Sequence, residues 1–108
     1  MRLTYEDIEK MTGEEVDLYI VKKVMGWRRL ENGRLWRDAH STDWFPISDL
    51  NDAVQAAEKV GGNLEMAGIH DPPYWRATVW IKGKDFFGVA TTPALAVCRA
   101  VISASEKK

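Results

Sequence analysis

With 108 residues, an apolar share of 45% and a net charge of −1, the chain reads as one folded domain without global attraction to nucleic acid or an anionic membrane. Five tryptophans supply core volume and argue against a disordered chain. The single Cys98 excludes an internal disulfide and suits a reducing cytoplasm.

The opening residues 1–7 place acids where a signal peptide needs an apolar core, so no secretory leader is expected. Thr4 with Asp7 resembles a capping box, and Leu3 can staple against Ile8, which predicts a short helical turn from Tyr5 to Met11. Thr12 with Glu15 repeats the signature, flanked by Met11 and Val16, and starts a helix from Gly13 to Met25. Val16, Tyr19, Ile20, Lys23 and Val24 share one face, and Gly26 stops the helix. Asn32-Gly33 is the preferred pair for a tight hairpin, setting Leu30 opposite Leu35, Arg29 opposite Trp36 and Arg28 opposite Arg37. Residues 39–45 read as a loop closing on Pro46.

Ser48 is a good N-cap for a second long helix, with Asp49 in its first turn. Leu50, Ala53, Val54, Ala57 and Val60 follow the helical period until Gly61-Gly62. A weak strand, Leu64 to Ile69, precedes a turn at 70–73. The clearest strand is Tyr74 to Lys82, with Trp75, Ala77, Val79 and Ile81 on one side and Tyr74, Arg76, Thr78 and Trp80 on the other. Gly83-Lys84-Asp85 turns the chain, and Phe86 to Ala90 pairs back antiparallel. The last helix runs from Thr92 to about Ala104, opened by a Thr92 cap and Pro93. Its polar residues, Arg99 and Ser103, share one narrow stripe with Ala96; a helix so apolar elsewhere must be buried on more than one side. The longest apolar run, Val89 to Ala104, is broken by Pro93 and Arg99 and falls short of the ~20 residues that span a bilayer. This order predicts an α+β fold, a three-layer α-β-α sandwich around a small antiparallel sheet, occupying residues 1–108 as a single domain.

Three stretches carry a likeness: residues 16–27 ending Met25-Gly26-Trp27, the 46–60 helix, and residues 90–100 with Cys98-Arg99-Ala100. In the same order along nearly the whole chain, they resemble the phage ABA-sandwich domain proteins, small proteins of tailed bacteriophages and prophages. These are packing motifs. The resemblance implies fold and phage origin, and most of that family carries no assigned reaction.

Chemistry is sparse. Cys98 sits mid-helix on an apolar face with no local base, which describes a packed thiol. His40 and His70 lie in loops near Asp43 and Asp71, without a second ligand at helical or strand spacing. No nucleophile elbow, phosphate-binding glycine loop or zinc signature is present, so neither a catalytic residue nor a metal or cofactor is expected. Between Lys22 and Arg37, six basic residues and two tryptophans accompany the single acid Glu31. Arginine offers forked donors to phosphate, and tryptophan a stacking face to a base. The plain alternative is a solvated hairpin whose charges guard an edge strand. Arg29, Arg34, Trp36, Arg37 and Trp44 are the candidate ligand contacts here. Arg76 and Trp80, with Tyr74 and Thr78, form a second candidate surface if the sandwich leaves it open, although their composition suits burial under a helix. Thr92, at the start of the last helix, is a further anion candidate, with ordinary capping as the simpler role.

The expected function is a non-enzymatic phage accessory module, acting in the host cytoplasm as a homo-oligomer. It would sequester a small phosphorylated, nucleotide-derived signal of host defence. A factor that binds and inhibits a host or phage protein is the alternative. Duplex nucleic acid ranks third, because the last helix has Arg99 where such modules direct a lysine cluster.

Overall fold

The computed structural model describes residues 3–26, 35–37, 40–42, 47, 49–70 and 73–107. Helix α1 (Tyr5–Lys10) and helix α2 (Gly13–Tyr19) each begin with a complete capping box, Thr4 with Asp7 and Thr12 with Glu15, as their sequences require. Beyond Tyr19 the expected single helix changes its winding. Residues Ile20–Met25 form a π-helical turn, and Ile20 and Val21 in it are both fully buried. Gly26 ends it at φ 73°, donating its N–H to the Val21 carbonyl.

Strand β1 (Leu35–Arg37) pairs antiparallel with β2 (His40–Thr42), Trp36 opposite Ser41. This corrects the reading of 39–45 as a loop within 40–42: the short, partly β-branched run His40-Ser41-Thr42 pairs along β1, with His40 opposite Arg37. The expected partners Arg28, Arg29 and Leu30, with the Asn32-Gly33 turn, lie outside the described residues.

Helix α3 (Leu50–Val60) is capped one residue later than expected. Asp49 is the N-cap, its Oδ1 accepting from both Asn51 N at 2.9 Å and Asp52 N at 3.4 Å; the expected cap Ser48 lies outside the described residues. Strands β3 (Asn63–His70), β4 (Pro73–Ile81) and β5 (Lys84–Ala90) then form an antiparallel sheet in the order β3-β4-β5. The β4–β5 turn is Lys82-Gly83, not the expected Gly83-Lys84-Asp85; both residues have positive φ, 52° and 79°, the geometry a two-residue hairpin demands.

Helix α4 (Pro93–Lys107) packs on β4 and β5, with α3 along its flank and α1, α2 and the π turn against it. Ala96, Val97, Cys98, Ala100, Val101, Ile102 and Ala104 are fully buried. The fold is α+β with helices packed on an antiparallel sheet. Its most enclosed element is α4, which has the sheet on one side and helices on others. The helix-covered face of the sheet carries Ala77, Val79, Phe86, Gly88 and Ala90. No described helix covers the opposite face, so the outer α layer expected there does not appear among the described residues.

Contact between α4 and the sheet is close because Gly88 has no side chain. A Cβ there would lie 2.5 Å from the Ala96 carbonyl oxygen and 2.6 Å from the Ala100 nitrogen. The polar stripe of α4 lies at this seam. Arg99 therefore does not face solvent along its length. Its Nη1 donates to the Val89 carbonyl at 2.6 Å and its Nη2 to the Glu9 carbonyl at 3.2 Å, tying β5 to the end of α1.

Candidate ligand-binding face of the sheet

Strand alternation builds the site. Since neighbours on a strand point to opposite faces, burying Ala77 and Val79 turns Arg76, Thr78 and Trp80 outward. Cross-strand register then sets their company: Arg76 stands between Ala67 and Val89, Thr78 between Glu65 and Phe87, and Trp80 between Asn63 and Asp85. Tyr74, Trp80 and Phe87 each keep 37% of their surface exposed, so the second face of β4 is open. The expectation that Trp80 is in the core is corrected: α4 occupies the other face.

Glu65, Ala67, Arg76, Thr78 and Trp80 line a shallow cavity of about 240 Å³. Ala67 supplies the space and Trp80 a flat wall. Arg76 holds its guanidinium carbon 4.6 Å from the Phe87 ring centroid, a cation–π contact that orients the donors. Glu65 and Arg76 carry opposite charges into the same cavity, yet no ion pair joins them. The arrangement can therefore meet a ligand with an aromatic plane, an anionic group and hydrogen-bond donors. A second cavity of about 330 Å³, between the π turn and α3, is lined by Met25, Gln55, Glu58 and Lys59. Its described lining holds neither an aromatic residue nor an arginine.

The sequence candidates divide between places. Arg76 and Trp80 share the open face. Thr92 lies at the start of α4, where its hydroxyl accepts from Leu95 N at 3.3 Å and its carbonyl from Ala96 N at 3.1 Å, so capping occupies it. Trp36 and Arg37 lie on β1, described by their backbone pairing. Arg29, Arg34 and Trp44 lie outside the described residues. Glu65 and Phe87 were missed because only the strand register brings them beside Arg76 and Trp80.

The titratable groups elsewhere point to structure. Burial pushes the Cys98 thiol far above its usual range, with Asp17 and Asp52 adding to the effect, so it is a poor nucleophile as well as an inaccessible one. Burial raises Asp17 to about 6; the Ile47 N–H it accepts at 3.2 Å pulls the other way, and Asp52 pushes it up. Tyr19 donates to Glu106, which also accepts from Leu3 N at 2.6 Å. Desolvation, then that bond, lifts Tyr19 to about 12, while Glu106 is held below its usual range, chiefly by the Tyr19 bond. Of the two histidines expected in loops, His40 opens strand β2 and His70 closes β3. Among the described residues no group of three or more His, Cys, Asp or Glu side chains is placed to hold a metal ion. No described helix is long and apolar enough to cross a membrane.

With this geometry in view, the chain is similar in fold to a crystal structure of a phage protein from Bacillus cereus ATCC 14579. The TM-score is 0.70 at 16% identity, over 87% of this chain and 92% of that one. No protein-family model and no curated protein matches the chain. The likeness establishes the fold, shared with a phage protein, and no family model matches to show the phage ABA-sandwich family.

Proposed function

We propose that this is a phage accessory protein that works without catalysis, in the host cytoplasm, by sequestering a small phosphorylated, nucleotide-derived signal of host defence. The open sheet face carries the reading: Trp80 offers a stacking wall and Arg76 a phosphate-binding fork across one shallow cavity. The fold likeness to a phage protein supports the phage setting. The phosphate belongs at the Arg76 end, because Asp85 stands beside Trp80 at the other.

Thermal shift against a panel of cyclic nucleotides and ADP-ribose derivatives tests this, together with mass spectrometry of small molecules released on heating. A retained or stabilising ligand, lost by about tenfold or more in Trp80→Ala and in Arg76→Ala, is the expected result. Absence of any shift and of any retained ligand sinks the reading. Sedimentation with and without the ligand reports whether the module works as the homo-oligomer its sequence reading favours.

The exposed aromatics Tyr74, Trp75, Trp80 and Phe87 also favour a second reading, a factor that binds and inhibits a host or phage protein. One stoichiometric partner surviving nuclease and high salt would favour it.

A further inference from the structure

Within that binding reading, we propose that the cavity selects guanine as its base, with Glu65 as the selecting residue. Glu65 lies directly across from Thr78 and diagonal to both Trp80 and Arg76, so its carboxylate stands between the stacking wall and the guanidinium. Diagonal neighbours on one sheet face are roughly 7–8 Å apart at Cα, within reach of long side chains. A base stacked on Trp80 therefore turns an edge toward Glu65, while its phosphate reaches Arg76.

Charge placement argues that both ends wait for a ligand. Glu65 and Arg76 would neutralise each other if they served only to solvate the strand. Instead Arg76 rests on Phe87 and leaves Glu65 unpaired with it. A carboxylate is acceptor-only, so the edge it meets must donate. Guanine presents two adjacent donors, its ring N1–H and its exocyclic amine, which match the two carboxylate oxygens. Adenine and cytosine place a lone pair beside their amine, and uracil flanks its single N–H with carbonyl oxygens. Each of these sets an acceptor against an acceptor. The small Ala67, opposite Arg76, leaves the space the ligand needs.

Isothermal titration of the whole protein with 5′-GMP, 5′-AMP, 5′-UMP and inorganic phosphate tests this. GMP should bind about tenfold or more tightly than AMP or UMP, because a site built for donors rejects a base that lacks them. Glu65→Gln should remove that preference while keeping a melting temperature near the parent's, since Glu65 is exposed on an edge strand. Equal binding of all three nucleotides, weakened in Trp80→Ala, overturns guanine selection and leaves the binding module standing. A GMP preference that persists in Glu65→Gln overturns the role of Glu65. No binding of any nucleotide overturns the inference, and a panel ligand retained in the thermal-shift test would still uphold the broader reading.

Discussion

Along β4, Ala77 and Val79 are fully buried, while Arg76 and Trp80 on the same strand are exposed. The two faces share one backbone and one register, and differ in what lies against them. On the covered face Gly88 lets the α4 backbone approach the strand. On the open face Arg76 lies over Phe87, and Thr78 and Ala67 leave a hollow. The covered face uses small residues to admit a helix; the open one uses small residues to admit a ligand. Stability should therefore depend on the first and binding on the second.

The strongest way to break that division is Gly88→Val. The new side chain meets α4 backbone, which cannot yield as a flexible side chain would, so the cost should be about 3 kcal/mol. A fall of roughly 12–24 °C in melting temperature is expected for a domain of this size. An unchanged melting curve would deny the close approach of α4 to β5.

On the same helix, Cys98→Ser places a hydroxyl in a site with no exposure and should cost about 1–3 kcal/mol by urea denaturation, with ligand binding unchanged. Unaltered stability with lost binding would instead make the thiol functional.

Asp17 is the intermediate case, half-buried at the edge of the core. Its carboxyl is raised to about 6 from an ordinary 3.8, so the native state binds its proton more tightly than the unfolded chain does. This group disfavours folding above pH 6, and the penalty fades as pH falls towards 4. Asp17→Asn keeps an acceptor for the Ile47 N–H and removes the charge. The variant should melt higher than the parent at pH 7, with the difference shrinking between pH 6 and pH 4. Comparison with the parent is essential, because Glu106, held low by Tyr19, contributes stability in the opposite sense as pH falls. A difference that does not depend on pH would remove Asp17 from the balance.

The smallest change in stability belongs to the open face. Arg76→Ala loses a surface cation–π contact worth about 0.5–1 kcal/mol, while affinity for a phosphorylated ligand should fall about tenfold. A large drop in melting temperature with unchanged affinity would reverse the assignment of the two faces.

Local chemistry was readable in advance. Thr4 with Asp7, Thr12 with Glu15, Gly26, Gly61 and Thr92-Pro93 mark helix ends because capping needs only a few consecutive residues. Alternation along β4 was readable for the same reason. What depends on distant partners was not. The π turn interrupts an amphipathic pattern that reads as one continuous α-helix, and β2 becomes a strand only through β1. Arg99 reads only as part of a narrow polar stripe until Val89 and Glu9 are placed beside it. Half of the candidate site, Arg76 and Trp80, could be named from one strand; Glu65 and Phe87 required the pairing of three.

The position of α4 has a consequence for synthesis. The element that packs against both the sheet and the other helices is the last described along the chain. While the ribosome is still making residues 93–107, the apolar side of β4 and β5 and the inner faces of α2 and α3 lack their contacts to α4. Their burial must wait for segments far apart in sequence to meet, a slow kind of contact that leaves apolar surface uncovered meanwhile. Folding is thus expected to finish only once α4 has emerged, and a chaperone that shields apolar strands would find its substrate in the nascent chain before α4 emerges.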